Sequence, residues 1–205
     1  SSAGARSSFL CGGRLAGTVT TCVGTADLVG TPTSVRKASW MVYNDAAHET
    51  RAEQGYAVES APETWDDFTI VGPVSITTTD RDGRVTGQMQ AAYSGTVSGL
   101  AAATIWQSDY TAWTAYKYQN TRLAAVAVYD DIPSGTSDPD ADGLIGTAGV
   151  NYEKTGYGYE NFGSSNKGRR NTTVTPDGTI TRVVFDARGN VLETWLGTND
   201  TGATD

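Results

Sequence analysis

Short apolar runs rich in β-branched residues, each closed by a turn signal, make up most of this 205-residue chain. The pattern is clearest in residues 171–200, where strand-like runs alternate with two turns. One turn ends at Asp177 and Gly178, and the other runs from Asp186 to Gly189. In such turns Asp accepts backbone N–H groups ahead of it, and Gly adopts a positive φ without strain. The pattern therefore predicts a β-meander.

The strand–turn–strand unit recurs along the chain, with turns beginning near residues 44, 80, 119, 160 and 186. One such unit cannot bury its own apolar face, so the units must stack against one another. The sequence therefore predicts an all-β fold of stacked antiparallel β-hairpins. Outside the meander, the residues expected to build the repeat turns are Asp80, Gly83, Glu160 and Gly163.

Other stretches depart from this scheme. Residues 1–36 contain two strand-like runs around a Gly-rich segment. We take them as an N-terminal β-rich cap or docking segment, ahead of a hairpin array in residues 37–205. Residues 52–67 are polar, and Asp66 and Asp67 are expected to lie in a solvated turn. Residues 101–106 fit either a helix or a strand.

The two cysteines, Cys11 and Cys22, both lie in the N-terminal segment. A hairpin with a Gly-rich tip could bring them opposite each other. An even, local pair in a strand-rich, acidic chain favours a disulfide over two free thiols. A zinc site would need further ligands, and the chain has a single His.

The formal net charge of −8 and the pI near 4.6 argue against functions that need a basic surface. Nucleic acid and anionic lipid are therefore not expected partners. No apolar run approaches the roughly 18 residues of a membrane helix. The chain does not begin with Met, and both ends are rich in small polar residues. We expect a processed chain or a segment of a longer one.

Residues 138–146 hold the sharpest local motif. Alternate carboxylates from Asp138, Asp140 and Asp142, followed by Gly143, match the first half of an EF-hand-like calcium loop, in which the backbone carbonyl of Leu144 would add a ligand. The twelfth position holds Gly rather than the bidentate Glu. Two interpretations stay open, a Ca²⁺ site and a simple acidic surface loop.

Residues 185–191, Phe-Asp-Ala-Arg-Gly-Asn-Val, resemble the YD (or RHS) repeat, whose core is Tyr or Phe, then Asp, two variable residues, Gly, Arg or Asn, and Leu or Val. Residues 79–85 and 157–163 are similar, with Thr79 and Glu160 as departures. The resemblance implies a large secreted or cell-surface bacterial protein whose hairpins lie side by side in a long sheet. It is closest to the variant with long insertions. Its implied partners are other copies of the chain or further repeats of a longer one.

No catalytic motif accompanies the hairpins, since the lone His48 lacks a recognisable partner and no phosphate loop or zinc-protease motif occurs. We therefore expect no catalytic residues. The hypothesis is a structural module that self-associates into a fibre, stalk or shell. The alternatives are a module that binds surface glycans, with or without Ca²⁺, and a glycoside hydrolase that uses a carboxylate pair. The tryptophans available to stack on sugars are Trp40, Trp65, Trp106, Trp113 and Trp195.

Overall fold

A computed structural model describes residues 6–11, 13–22, 35–58, 67–98, 103–160 and 168–199. The chain divides into two compact units, unit 1 (Ser1–Trp113) and unit 2 (Thr114–Asp205). Both units are built from antiparallel strands, which confirms the predicted all-β class and its hairpin arrangement. None of the described residues belongs to a helix with the length and hydropathy needed to cross a membrane.

The described residues of unit 1 form eight strands before the boundary strand β9. Their order is β1-β2-β3-β4-β6-β7, and β5 pairs with both β4 and β8. The strands are β1 (Arg6–Cys11), β2 (Gly13–Cys22), β3 (Val35–Asn44), β4 (Glu49–Val58), β5 (Asp67–Ile70), β6 (Pro73–Thr79), β7 (Val85–Ala92) and β8 (Gly95–Ser98).

The core of unit 1 forms where the chain bends between β5 and β6. One end of β4 pairs with β6 and its other end pairs with β5. Gly72, with a φ of +97°, allows the bend, and the Val71 N–H donates to the Gln54 carbonyl at 2.9 Å. Apolar side chains from both sides of the bend are buried together, namely Val42, Phe68, Ile70, Val74, Ile76, Met89, Ala91 and Ala103. Branched aliphatic residues thus supply half of these eight side chains.

Unit 2 is a simple meander in which successive strands are neighbours, in the order β9-β10-β11-β12-β13-β14. Strand β9 crosses the boundary from unit 1, and a long loop, residues 130–151, joins β10 to β11. The buried hydrophobic residues among those described are Ala115, Ala125, Ala127, Tyr129, Leu144 and Tyr152. The strands are β9 (Tyr110–Gln119), β10 (Arg122–Tyr129), β11 (Tyr152–Tyr159), β12 (Arg170–Val174), β13 (Ile180–Phe185) and β14 (Val191–Gly197).

The structure departs from the sequence pattern in two places. Strand β4 continues through Val58, so the polar residues 52–58 belong to a strand, and Glu53 within it is buried at 2% exposure. The reason is the ladder to β3, which pairs every residue of β4 and overrides a polar composition. Residues 103–106 are neither helix nor strand and lead into a 3₁₀ turn, Gln107–Asp109.

The N-terminal predictions fall on a part of the chain of which the backbone alone is described. A β1–β2 hairpin is present, but its register places Cys11 opposite Gly13, and Cys22 opposite Val35 of β3. Cys11 and Cys22 are therefore not cross-strand neighbours in the β1–β2 hairpin. The side chains lie outside the described part, so the disulfide stays a prediction. The boundary drawn between residues 36 and 37 falls within β3, and a separate cap also stays a prediction.

Candidate functional site

The turns that end the β6–β7 and β13–β14 hairpins are built alike. In the first, Asp80 accepts the Arg84 backbone N–H at 2.9 Å with Oδ1 and the Arg84 guanidinium at 2.7 Å with Oδ2. In the second, Asp186 accepts the Asn190 N–H and its side-chain amide, both at 2.8 Å. Each aspartate thus accepts a backbone and a side-chain hydrogen bond from the residue just before the next strand.

A glycine with positive φ closes each of these turns. The N–H of Gly83 donates to the carbonyl of Asp80 at 3.0 Å, with φ of +78°, and the N–H of Gly189 donates to the carbonyl of Asp186 at 3.0 Å, with φ of +93°. A side chain would be strained in this left-handed region, which is why the turn requires glycine.

The Thr-Pro-Asp-Gly turn between β12 and β13 has the same backbone pattern, but its carboxylate accepts hydrogen bonds from a different position. The Gly178 N–H donates to the Thr175 carbonyl at 2.9 Å, and the φ of Gly178 is +82°. Here the carboxylate stands at the third position, where Asp177 accepts the Thr179 N–H at 3.1 Å and the Thr175 hydroxyl at 2.6 Å. The carboxylate again accepts hydrogen bonds within the turn, but from the third position and not the first.

Glu160 has the same role at the end of β11, across a longer insertion. Its Oε2 accepts both the backbone N–H of Arg169 at 3.0 Å and its Nε at 2.7 Å. The Arg169 guanidinium also donates to the carbonyl of Asp186 at 3.1 Å and lies 4.6 Å from the centroid of the Phe185 ring. Two neighbouring turns are therefore linked by one side chain. Gly163, predicted to complete this turn, lies outside the described residues.

The remaining two turns lack glycine, and other residues take the left-handed conformation. Asn120 has a φ of +55° in the β9–β10 turn. His48 has a φ of +51° in the β3–β4 turn, where its carbonyl accepts the Thr79 N–H at 2.9 Å. Asn is the commonest substitute for glycine in this region, and His is also enriched there. The single His of the chain therefore has a backbone role in this turn.

Hydrogen bonds lower the pKa of each turn carboxyl group. The Thr175 hydroxyl is the main cause for Asp177, and the Asn190 amide is the main cause for Asp186. At Asp80, desolvation opposes the shift, but the hydrogen bonds from Arg84 outweigh it and lower the pKa. The Arg169 guanidinium lowers the pKa of Glu160. All four carboxyl groups are stabilised in their charged form.

The loop over unit 2 is held to the sheet by two buried tyrosines. The Tyr129 hydroxyl donates to the Ile145 carbonyl at 2.8 Å, and the Tyr152 hydroxyl donates to Asp142 Oδ2 at 3.1 Å. The same Oδ2 accepts Lys154 Nζ at 2.6 Å. Burial raises the pKa of Tyr129 to about 12. Desolvation opposes a lower pKa at Asp142, but the hydrogen bonds from Lys154, the Leu144 amide and Tyr152 outweigh it.

The carboxylates proposed to bind calcium are used differently in this fold. Asp138 accepts the backbone N–H groups of Asp142 at 3.1 Å and Gly143 at 2.6 Å, and Asp140 accepts that of Ala148 at 2.8 Å. Leu144 is buried and its N–H donates to Asp142 Oδ1 at 3.0 Å. No group of three or more His, Cys, Asp or Glu among the described residues is arranged to hold a metal ion. Calcium binding stays a prediction.

An open cleft of about 700 Å³ lies between this loop and the face of the unit 2 sheet. Its charged lining residues are Lys117 of β9, Lys154 of β11 and Asp142 of the loop. The other lining residues are Tyr118, Gln119, Ala124, Ala125, Leu144, Gly156, Tyr157, Gly158, Thr172 and Val174. The cleft therefore combines small, apolar and cationic groups.

The floor of the cleft is formed by cross-strand neighbours with small side chains or none, which leaves space above the sheet. Ala125 of β10 lies opposite Gly156 of β11, which lies opposite Val174 of β12. Glycine in a strand interior commonly marks a close approach of another group or a place where a ligand fits. At the rim, the Lys117 ammonium lies directly against Gly143, where an added Cβ would collide with it. Gly143 thus leaves the space that the Lys117 ammonium occupies.

This cleft was not foreseen from the sequence. One signal was present, because the chain has only four lysines (Lys37, Lys117, Lys154 and Lys167), and two of them line the cleft. Their proximity depends on the pairing of strands that are distant in sequence, which local patterns do not reveal.

The tryptophans do not share one role. Trp113 packs against the core of unit 1, with its ring 5.9 Å from that of Tyr110 in an edge-on arrangement. Trp106 and Trp195 are exposed at 67% and 59%. The side chains of Trp40 and Trp65 lie outside the described part of the structure. Trp106 and Trp195 therefore stay available as sugar-stacking surfaces, whereas Trp113 is a packing residue.

Comparison with known proteins gives no match. No family model fits the sequence, and neither the curated proteins nor the solved structures include a significant relative.

Proposed function

We propose that this chain is a non-catalytic structural module of an extracellular or cell-surface protein, of the YD/RHS-repeat kind, which self-associates through a sheet edge. The observation that carries the proposal is strand β14. It lies at the end of the strand order and pairs with β13 alone among the described strands. All seven of its residues are exposed, including four large apolar ones, Val191, Leu192, Trp195 and Leu196.

An exposed strand edge normally carries features that prevent pairing with another chain. Lysine, proline and bulges are the usual ones, because they oppose the addition of a further strand. Strand β14 reads Val-Leu-Glu-Thr-Trp-Leu-Gly and has neither lysine nor proline. Its pairing with β13 shifts register and skips Leu192, so the irregular part of the strand lies near its start. From Glu193 to Gly197 the regular backbone edge and the apolar side chains favour the addition of another strand.

A second copy of the chain is the partner that best suits this edge. An antiparallel pair centred on Thr194 would be symmetric. It would set Leu192 opposite Leu196 of the second copy and Glu193 opposite Trp195, so the two acidic groups would not face each other. Hydrophobic cross-strand pairs of this kind stabilise antiparallel sheets.

The turns support the structural part of the proposal. Asp80, Asp177 and Asp186 each accept backbone N–H groups within their own turn. Their glycines satisfy backbone geometry. The residues that repeat along the chain are thus engaged in building hairpins.

Sedimentation velocity over a range of protein concentrations tests the proposal, with electron microscopy of the same samples. We expect concentration-dependent association that is weakened in Val191→Lys. The matched control is Val150→Lys, since Val150 is similarly exposed, at 64% against 58%, but lies in the loop before β11. A wild-type chain that stays monomeric throughout, or equal effects of the two substitutions, would overturn the assembly mechanism.

A further inference from the structure

We propose that the unit 2 cleft is a binding site for an acidic saccharide, with the Lys117 ammonium holding the carboxylate of a uronic acid unit. This function is additional to the structural role and does not depend on it. The cleft volume of about 700 Å³ lies within the usual range for small-ligand sites. It would hold a short stretch of a glycan chain.

The charge of the cleft contrasts with that of the whole chain. The formal net charge of the chain is −8, yet two lysines and one aspartate line this cleft. Asp142 is paired with Lys154, through a contact of 2.6 Å. Lys117 is exposed, and within the described part of the chain its ammonium makes no ion pair or hydrogen bond. Of the two lysines that line the cleft, Lys117 therefore has the ammonium that is free of a direct carboxylate contact among the described residues, which suits it to an anion.

The fold leaves room for the Lys117 ammonium at the rim of the cleft. Its ammonium lies against Gly143, which has a φ of +78° and no side chain to displace it. Gly143 is in turn held by Asp138, whose Oδ2 accepts its N–H at 2.6 Å. The hydrogen-bonded loop thus keeps this rim position open to the Lys117 side chain.

A saccharide suits the cleft better than an extended peptide. A peptide needs partners for its backbone groups, usually at a free strand edge. The floor strands β10, β11 and β12 are each paired on both sides, so they offer no such edge. A pyranose ring can instead lie with its C–H groups on Ala125, Gly156 and Val174. Its hydroxyl groups can reach polar side chains of the lining such as Gln119 and Thr172.

The site is suited to binding rather than hydrolysis. Glycoside hydrolases generally use a pair of carboxyl groups on either side of the scissile bond. Asp142 is the one carboxylate among the described residues that line the cleft. Its Oδ1 accepts the Leu144 N–H and its Oδ2 accepts both Lys154 and Tyr152.

Isothermal titration of the full chain with a galacturonic acid trisaccharide tests the proposal. The comparison ligands are the neutral galactose trisaccharide and a triglutamate peptide. The test variant is Lys117→Met. The control variant is Arg188→Met, which removes the same charge from an exposed turn position outside the cleft.

We expect the acidic trisaccharide to bind more tightly than the other two ligands. Lys117→Met should weaken that binding by about tenfold or more, the usual effect of losing one charge-assisted hydrogen bond. Arg188→Met should leave it unchanged, and thermal melts of both variants should match the wild type. The proposal is overturned if the acidic trisaccharide does not bind, if the two variants behave alike, or if either comparison ligand binds equally well.

Discussion

The turn from Asp186 to Asn190 and the loop from Asp138 to Leu144 use the same residue types for different ends. Both start with an aspartate that accepts backbone N–H groups, and both contain a glycine with positive φ. The Asp186 turn is completed within five residues, by the side chain of Asn190. The loop depends on Tyr152 and Lys154, which belong to the next strand. The same local chemistry therefore builds a self-contained turn in one place and one wall of a cleft in the other.

The largest effect should come from removing the anchor of the loop. Tyr152 is fully buried, and its ring lies 5.1 Å from that of Tyr129. Tyr152→Ala should lower the free energy of unfolding by about 3–5 kcal/mol, as expected for a large side chain lost from a core. Urea denaturation is the measurement, with Tyr152→Phe as the control.

The control separates packing from hydrogen bonding. Tyr152→Phe keeps the ring and removes the hydrogen bond to the charged Asp142 carboxylate, so it should cost only about 1.5–3 kcal/mol. Equal losses for the two variants would show that the hydroxyl group, and not the ring, secures the loop.

Comparing Gly→Ala at two turn glycines separates the cost of backbone strain from the effect of the neighbouring lysine in the cleft. Gly83 and Gly143 have the same φ of +78°, but a Cβ at Gly83 would meet nothing, whereas at Gly143 it would meet Lys117. Both Gly→Ala variants should lose about 1–2 kcal/mol from backbone strain. The lysine can swing away, so the urea midpoints should shift alike, while only Gly143→Ala should move the Lys117 ammonium resonance in NMR spectra. A much larger loss at Gly143 would mean that Lys117 is fixed in place.

Acid should weaken the self-contained turns. The folded-state pKa values of Asp80, Asp177 and Asp186 are lowered, so their stabilisation is complete above the unfolded value of 3.8 and is lost as pH falls through the folded values. Thermal melts recorded from about pH 6 to about pH 2 should show a melting temperature that decreases once the pH drops below about 4. Asp186→Asn should flatten part of that fall. An identical pH profile in this variant would contradict the role given to its carboxylate.

The smallest effect should follow chelation. The oxygens of Asp138 and Asp142 already accept backbone N–H groups, and Asp142 also pairs with Lys154. Calcium would have to displace these contacts to gain its usual oxygen ligands. We therefore expect dialysis against a chelator to leave the melting midpoint of the wild type unchanged. A midpoint that falls on chelation and recovers with Ca²⁺ would establish the calcium site instead.

Local chemistry explains which features could be predicted from the sequence. The Asp186 turn could be read directly, because its donor, acceptor and positive-φ glycine all lie within a few residues. The all-β class followed from the recurrence of such turns. The strand character of residues 52–58 could not be predicted, because those polar residues gain their structure by pairing with β3. The hydrogen bonds of Asp142 to Tyr152 and Lys154 could not be predicted either, because those two residues belong to β11.

The sequence by itself determined the hairpins, their turns and the acidic balance of the chain, since each depends on residues that are neighbours or on a simple sum of charges. Only the tertiary structure decided which faces are covered and which charges meet. It folded the 130–151 loop onto two tyrosines, brought Lys117 and Lys154 to one cleft and left β14 exposed. These outcomes depend on strand order and register, which a local pattern does not specify.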